Sequence, residues 1–182
     1  RCPRGARMPP EPCSTGRSPV PMGYDLKVGA GADATGALGH FEGKTFVLHN
    51  RVYFHDTDAA GIVYHGTYFN FAERARTEML RHLGVDPDWL WQEYRLRFVI
   101  VSAELDFRRP AVHDDVIEIR TDYRATTAAR MILHQTMLVD GEVCTALRIT
   151  VSQIKENGRP VRLPQPALDA MAPYLQPLKP SE

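Results

Sequence analysis

The chain has 182 residues, 43% hydrophobic and 24% charged, which is the make-up of one ordinary globular domain and excludes fibrous, disordered and membrane classes. Its 22 basic and 22 acidic side chains cancel, so no overall charge draws it to nucleic acid or to an anionic membrane surface, and an anionic ligand has to be met by a local cluster. No apolar run approaches the roughly 18 residues of a membrane span, and the basic start RCPRGAR leads into PPEPCSTG instead of an apolar signal core; a cytoplasmic protein with no integral membrane segment is expected.

Residues 1–42 are rich in Gly, Pro, Ser and Ala and hold almost no periodic apolar pattern, so they are expected to form a disordered N-terminal extension, with Met8 and Met22 as candidate starts. Cys2 and Cys13 fall in that extension, which leaves Cys144 without a domain partner and excludes a disulfide framework. Cys144 is expected to be a small buried residue. None of the cysteine spacings resembles a zinc site.

Order is expected from Thr45, where Thr45-Phe46-Val47-Leu48 and Val52-Tyr53-Phe54 supply the β-branched and aromatic residues of a strand. A helix follows over Thr67 to Leu83, with Tyr68, Phe71, Ala72, Ala75, Met79 and Leu83 on one face, Thr67 as cap and Gly84 as stop. The bulk of that face calls for a sheet beneath a helix of roughly 25 Å. Arg76 falls inside the apolar arc and therefore requires a partner or a snorkelling path. Glu73 is expected to pair with Arg76 or Arg74.

A short segment led by Pro87 runs to Tyr94, and four strand-like runs come next: Phe98 to Phe107, Val116 to Tyr123, Arg130 to Val139 and Glu142 to Ile154. Their joints read as turns at Arg109-Pro110, near Thr126-Thr127, and at Asp140-Gly141, where Asp-Gly between strands is a strong hairpin signal. Joints this short make antiparallel neighbours. One strand, one long helix and an antiparallel meander is an α+β plan whose bare edge or outer face predicts self-association. Residues 166–182 read as a C-terminal helical segment or tail.

The stretch that carries chemistry runs from Arg51 to Tyr68. Its residues Arg51-Val52, Thr57-Asp58 and Gly61-Ile62-Val63-Tyr64-His65, with Tyr68 opening the helix and Glu73-Arg74-Ala75-Arg76 along it, resemble the 4-hydroxybenzoyl-CoA thioesterase family of hotdog proteins, and in particular its Tol-Pal-associated acyl-CoA thioesterase branch. The Arg109-Pro110 turn and Gly158-Arg159-Pro160 extend the likeness over about residues 45 to 165. The resemblance implies a hotdog fold, an antiparallel sheet of about five strands wrapped around one long helix. It also implies hydrolysis of an acyl-CoA substrate, with Asp58 attacking the thioester carbonyl or activating water. The backbone N–H of His65, near the helix start, would polarise the thioester oxygen, and the imidazole would position water or substrate.

Gly61, Val63, Tyr64, Tyr68 and Phe71 then belong to the substrate site, and Arg130 is a candidate contact to coenzyme A phosphates beside Arg108, Arg109, Lys155, Arg159 and Arg162. No cofactor is implied, since coenzyme A is part of the substrate. His55, Asp56, Asp58 and His65 need no metal, because a carboxylate and water account for them. A homodimer or homotetramer is implied, with tetramer the reading adopted. Branch members commonly have Tyr where this chain has Phe54, a departure that bears on substrate preference.

Asp56 reads as structural, accepting backbone N–H bonds, and His55 as pointing to the opposite strand face. Two other classes compete. Asp56-Thr57-Asp58 after an apolar strand imitates a haloacid-dehalogenase phosphatase, but that fold needs helices between parallel strands. A non-catalytic acyl-CoA-binding hotdog module is the alternative within the same fold. The glycines of 29–39 lack the Lys and preceding strand of a P-loop.

Overall fold

The computed structural model describes residues 38–126 and 129–177. Six antiparallel strands form one sheet: β1 (His40–Glu42), β2 (Thr45–Arg51), β3 (Leu96–Phe107), β4 (Val116–Thr126), β5 (Arg130–Val139) and β6 (Glu142–Lys155), in the order β1-β2-β4-β5-β6-β3. The strand β1, in the segment read as part of the extension, raises the count above five. Its three residues lean on β2 through Phe41, which meets Phe46 edge-to-face at 5.2 Å. Residues 1–37 of the predicted extension lie outside the described residues.

The meander is built from its turns. Asp140 and Gly141 both take positive φ, 52° and 79°, the conformation that matches a two-residue hairpin to strand twist. Residues 127 and 128, at the expected β4–β5 turn, are outside the described residues. Every strand pair is antiparallel, which removes the phosphatase reading. Along β5, buried positions alternate strictly with half-buried ones, the period-2 signature of one face turned to a core. The edge strand β3 pairs with β6 alone, and its register shifts between Ile100 and Ser102.

The helix α1 (His65–His82) lies on that buried face. Phe71, Ala72 and Ala75 are fully buried against Phe46, Ile119, Leu133 and Ile149; two alanines side by side let the helix approach the sheet closely. Its start differs from the expected Thr67 cap. Tyr64 N–H donates to the Asp56 carbonyl at 2.9 Å, pinning the helix two residues earlier. Thr67 is thus inside the first turn, buried, with its hydroxyl donating to the same carbonyl at 3.3 Å. The stop at Gly84 is as read: its φ is +69° and Val85 N–H reaches back to Leu80 O at 2.9 Å, closing the last turn.

Arg76 finds its partner in the sheet instead of on the helix. Its guanidinium donates to Gln135 Oε1 at 2.6 Å. Glu73, expected to pair with Arg76 or Arg74, accepts from Thr77 Oγ1 at 2.7 Å, and Arg74 turns to Asn50 at 3.4 Å. Neither cation is within ion-pair distance of Glu73, because Arg76 points into the core while Glu73 is exposed. A second helix, α2 (Pro87–Tyr94), is capped by Asp86 accepting from Asp88 N at 2.7 Å. A third, α3 (Gln165–Met171), buries Ala167 and Met171. The chain beyond it returns to β2 and β4, with Gln176 N–H on Tyr123 O at 2.8 Å and Lys44 Nζ on Leu175 O at 3.0 Å.

Candidate active site

Between β2 and α1 the chain makes two turns that position Asp58. The first is a 3-10 turn over Phe54–Asp56, held by the buried Asp56 carboxylate, whose Oδ2 accepts from Tyr53 N at 2.9 Å. That is the structural role expected of Asp56. His55 is exposed on this turn, 3.3 Å from Asp56 Oδ1; it is not on a strand, because pairing with β4 ends at Arg51.

The second turn runs from Asp58 to Ile62. Asp58 N–H donates to Ile62 O at 2.9 Å, Gly61 N–H to Asp58 O at 3.0 Å, and Gly61 takes a φ of +76° that a side chain would resist. Ala60 N–H donates to Asp58 Oδ1 at 2.8 Å. One carboxylate oxygen is thereby fixed by the backbone, and Oδ2 has no hydrogen-bond donor among the described residues. The turn is tied down by bridges from Thr57 to Val63 and from Ile62 to Val112, and by Val63 N–H on Ala111 O at 2.8 Å.

Asp58, Val63, His65, Tyr68, Phe107 and the Arg108–Pro110 turn line one open cleft of about 400 Å³. Asp58 and His65 are exposed at its mouth, and Val63 and Tyr68 are buried in its wall. Tyr68 Oη accepts from Ala111 N at 3.2 Å, its ring stands edge-on to Phe107 at 5.6 Å, and burial holds its phenol above the ordinary value. The first-turn N–H groups of α1 lie beside the cleft. Those of Tyr64 and Thr67 are spent on Asp56 O and Tyr64 O, whereas His65 and Gly66 stand where a helix offers no acceptor. A carboxylate with one free oxygen beside such donors is equipped to bring a nucleophile to a carbonyl whose oxygen takes up charge.

The family model for the thioesterase-like superfamily matches residues 52–171, which takes in the whole cleft. The chain belongs to the thioesterase-like superfamily. It is thus an enzyme of the thioester-hydrolysing class with a hotdog thioesterase fold. It is 38% identical over 116 residues to the acyl-CoA thioester hydrolase YbgC of Escherichia coli O6:H1, covering 60% of this chain and 84% of that one. To acyl-CoA thioesterase YbgC of Haemophilus influenzae it is 39% identical over 88 residues, 48% of this chain and 65% of that one. Among solved structures, a probable thioesterase from Bartonella henselae is 34% identical with a TM-score of 0.64, covering 66% of this chain and 99% of that one. The gentisyl-coenzyme A thioesterase BH1999 is 29% identical with a TM-score of 0.63, covering 69% and 98%.

Of the residues singled out from sequence, Asp58, Val63, His65 and Tyr68 meet in this cleft, and Gly61 shapes the turn that holds Asp58. Tyr64 is half exposed, packed on the His65 ring at 4.2 Å. Arg130 begins β5 opposite Ser152, at the Leu96 end of the sheet, as do Lys155 and Arg159, so within one chain they stand apart from Asp58. Phe54 stacks on His113 at 3.7 Å and does not line the cleft. Phe107 and Gly66 were missed. Phe107 ends a strand just before Arg-Pro, a position that strand–turn grammar flags. A Cβ at Gly66 would stand 2.8 Å from the Tyr64 ring, a contact no local pattern discloses. Among the described residues no three His, Cys, Asp or Glu side chains converge as metal ligands, and no helix is long and apolar enough to cross a membrane.

Proposed function

We propose that the protein hydrolyses an acyl-CoA thioester to free acid and coenzyme A, with Asp58 as the reacting carboxylate. The observation that carries this is the divided Asp58 carboxylate: Oδ1 is held by Ala60 N–H, Oδ2 has no donor among the described residues, and Asp58 lines the cleft with His65 and Tyr68. Asp58 either attacks the thioester carbon or takes a proton from the water that does. The carbonyl oxygen, charged in the tetrahedral intermediate, is received by the N–H of His65 at the head of α1, where the helix dipole adds its favourable sign. Collapse of that intermediate breaks the C–S bond and expels the coenzyme A thiolate, which takes up a proton drawn from water; where Asp58 itself attacks, water then hydrolyses the mixed anhydride left on its carboxylate to the free acid. Val63, Tyr64, Tyr68 and Gly61 shape the site around the thioester, and Arg130 of a neighbouring copy meets phosphate. The names of the relatives, acyl-CoA and gentisyl-coenzyme A thioesterases, support this substrate class. No cofactor is part of this reading, and the motif over Thr57-Asp58 and Gly61–His65 supports membership of the Tol-Pal-associated branch.

The enzyme works as a homodimer, or as a homotetramer of such dimers, built on β3. This twelve-residue strand is the sheet's open edge and exposes Ile100, Val101 and Phe107, a combination that natural proteins leave only where another strand docks. Its setting is the cytoplasm, where acyl-CoA esters are made and the free Cys144 thiol remains reduced.

The test is free-thiol release from a panel of acyl-CoA thioesters, the parent chain compared with Asp58→Asn. Turnover falling at least ~10²-fold with substrate binding kept is the expected result; near-normal turnover removes Asp58 from the mechanism. Binding of acyl-CoA with no cleavage of any thioester by the parent would return the acyl-CoA-binding module.

A further inference from the structure

A second cavity, of about 380 Å³, lies between the C-terminal half of α1, the Leu96–Ile100 end of β3 and the strands β5 and β6. Its walls include Met79, Leu80, Phe98, Met131 and Val151, and it is within the size range of small-ligand pockets. One feature is foreign to such a lining. Arg76, nine-tenths buried, stands in its wall.

The cation is placed there by construction. Gln135, 1% exposed, gives its amide N–H groups to Ala72 O at 2.9 Å and Thr121 Oγ1 at 3.0 Å, so its Oε1 is turned to Arg76. Arg76 Nε and its second terminal nitrogen have no acceptor among the described residues. Burial lowers the guanidinium from its ordinary value to about 10, with Glu73 acting the other way, so it is still charged at neutral pH. The only other charges on the lining are Arg97 and Glu73. Arg97 lies over the Trp91 ring at 4.0 Å and Glu73 is at the exposed rim. An apolar chamber with a preset, partly unbonded cation in its wall is complementary to an apolar chain that ends in an anion.

We infer that this cavity receives the acyl group of the substrate and that Arg76 binds a carboxylate at its far end, so that the preferred thioesters are those of dicarboxylic acids. The inference rests on the acyl-CoA reading and on the β3 dimer. Within one chain, Asp58 is at the Phe107 end of β3 and the cavity at the other. Two β3 edges paired antiparallel bring the cavity of one copy beside the Asp58 cleft of the other. The thioester then sits at one copy's Asp58 while its acyl tail enters the neighbour.

The experiment compares octanoyl-CoA with 7-carboxyheptanoyl-CoA, equal in length and different in the end group. For the parent chain kcat/KM is expected to be at least ~10-fold higher for the carboxylate-ended ester, since a site built to bond a polar group rejects the analogue that lacks it. Arg76→Met should bring that ratio to one or below, and Arg76→Lys should keep part of it. A parent ratio of one or less, or an unchanged ratio in Arg76→Met, overturns the inference. Should Arg76→Met not fold, the parent ratio and Arg76→Lys still decide. Dissociation constants of both esters on Asp58→Asn separate the two readings. No cleavage by the parent, with tighter 7-carboxyheptanoyl-CoA binding that Arg76→Met removes, sinks the hydrolase and keeps this site; cleavage of both esters alike does the reverse.

Discussion

Removing Gln135 should destabilise this protein far more than its size suggests, and removing Arg76 with it should restore most of the loss. Gln135→Leu withdraws three buried hydrogen bonds: one to a cation, one to the Ala72 carbonyl and one to the Thr121 hydroxyl. At roughly 1.5 to 3 kcal/mol for the charged bond and about 1 for each neutral one, the loss is about 4 kcal/mol. A buried cation stripped of its partner falls in the same range. Arg76→Met alone leaves Gln135 Oε1 unsatisfied, at ~1 to 3 kcal/mol. It also relieves the burial of a guanidinium held well below its ordinary value, at about 10, worth roughly 3 kcal/mol, so its net effect is small. The double variant replaces a polar pair by apolar side chains and should lie within about 1 kcal/mol of the parent. In thermal melts at fixed chain concentration, Gln135→Leu should lower Tm by roughly 10 °C in the parent background and by no more than about 4 °C in the Arg76→Met background. Equal decrements in both backgrounds would mean that the two side chains are not coupled, and the account of Arg76 as a cation held by Gln135 would fail.

The fold should also weaken in mild alkali. Burial holds the Cys144 thiol and the Tyr68 phenol above their ordinary values of 9.0 and 10.0. The native chain thus keeps protons that the unfolded chain has lost, and stability falls as pH rises past about 9. Arg76 acts oppositely above about 10, where the native chain releases its proton first. The urea midpoint should therefore drop from pH 8 to 9.5, by less in Cys144→Ala; an unchanged drop in that variant would clear the thiol. At the sheet edge, Val101→Lys should shift sedimentation from dimer to monomer and reduce turnover in step; a fully active dimer would exclude β3 as the contact.

The elements were legible where periodicity is long. The β5 limits were read to the residue, Arg130–Val139, because alternation and the Asp140-Gly141 turn both mark them. The three-and-four spacing located α1 but misplaced its start, since the carbonyl that pins Tyr64 belongs to Asp56, eight residues upstream, and sequence periodicity carries no trace of a hydrogen bond across a loop. β1 escaped for a related reason: three residues show no period, and of the two rings that hold Phe41 one, Tyr174, is distant along the chain. At the site, Asp58, Val63, His65 and Tyr68 were visible because one continuous segment contributes them. Phe107 and the Arg108–Pro110 turn reach the cleft only through the crossing that sends β3 to the far edge of the sheet. The misfit of Arg76 was plain from its place in an apolar arc, whereas Gln135, on a strand 59 residues away, had no local signature.

The closing contacts around Tyr174 have an engineering consequence. Phe41 and Tyr174 touch at 3.9 Å between ring centroids, and Leu175 and Gln176 bond Lys44 and Tyr123, so both ends of the described fold meet on the margin opposite β3. A short linker there could join them end to end, and new termini opened at the exposed Asn157-Gly158 turn would give a permuted chain with its core intact. The same margin is the natural point of attachment to a support, since a tether placed there leaves the β3 flank clear for a second copy.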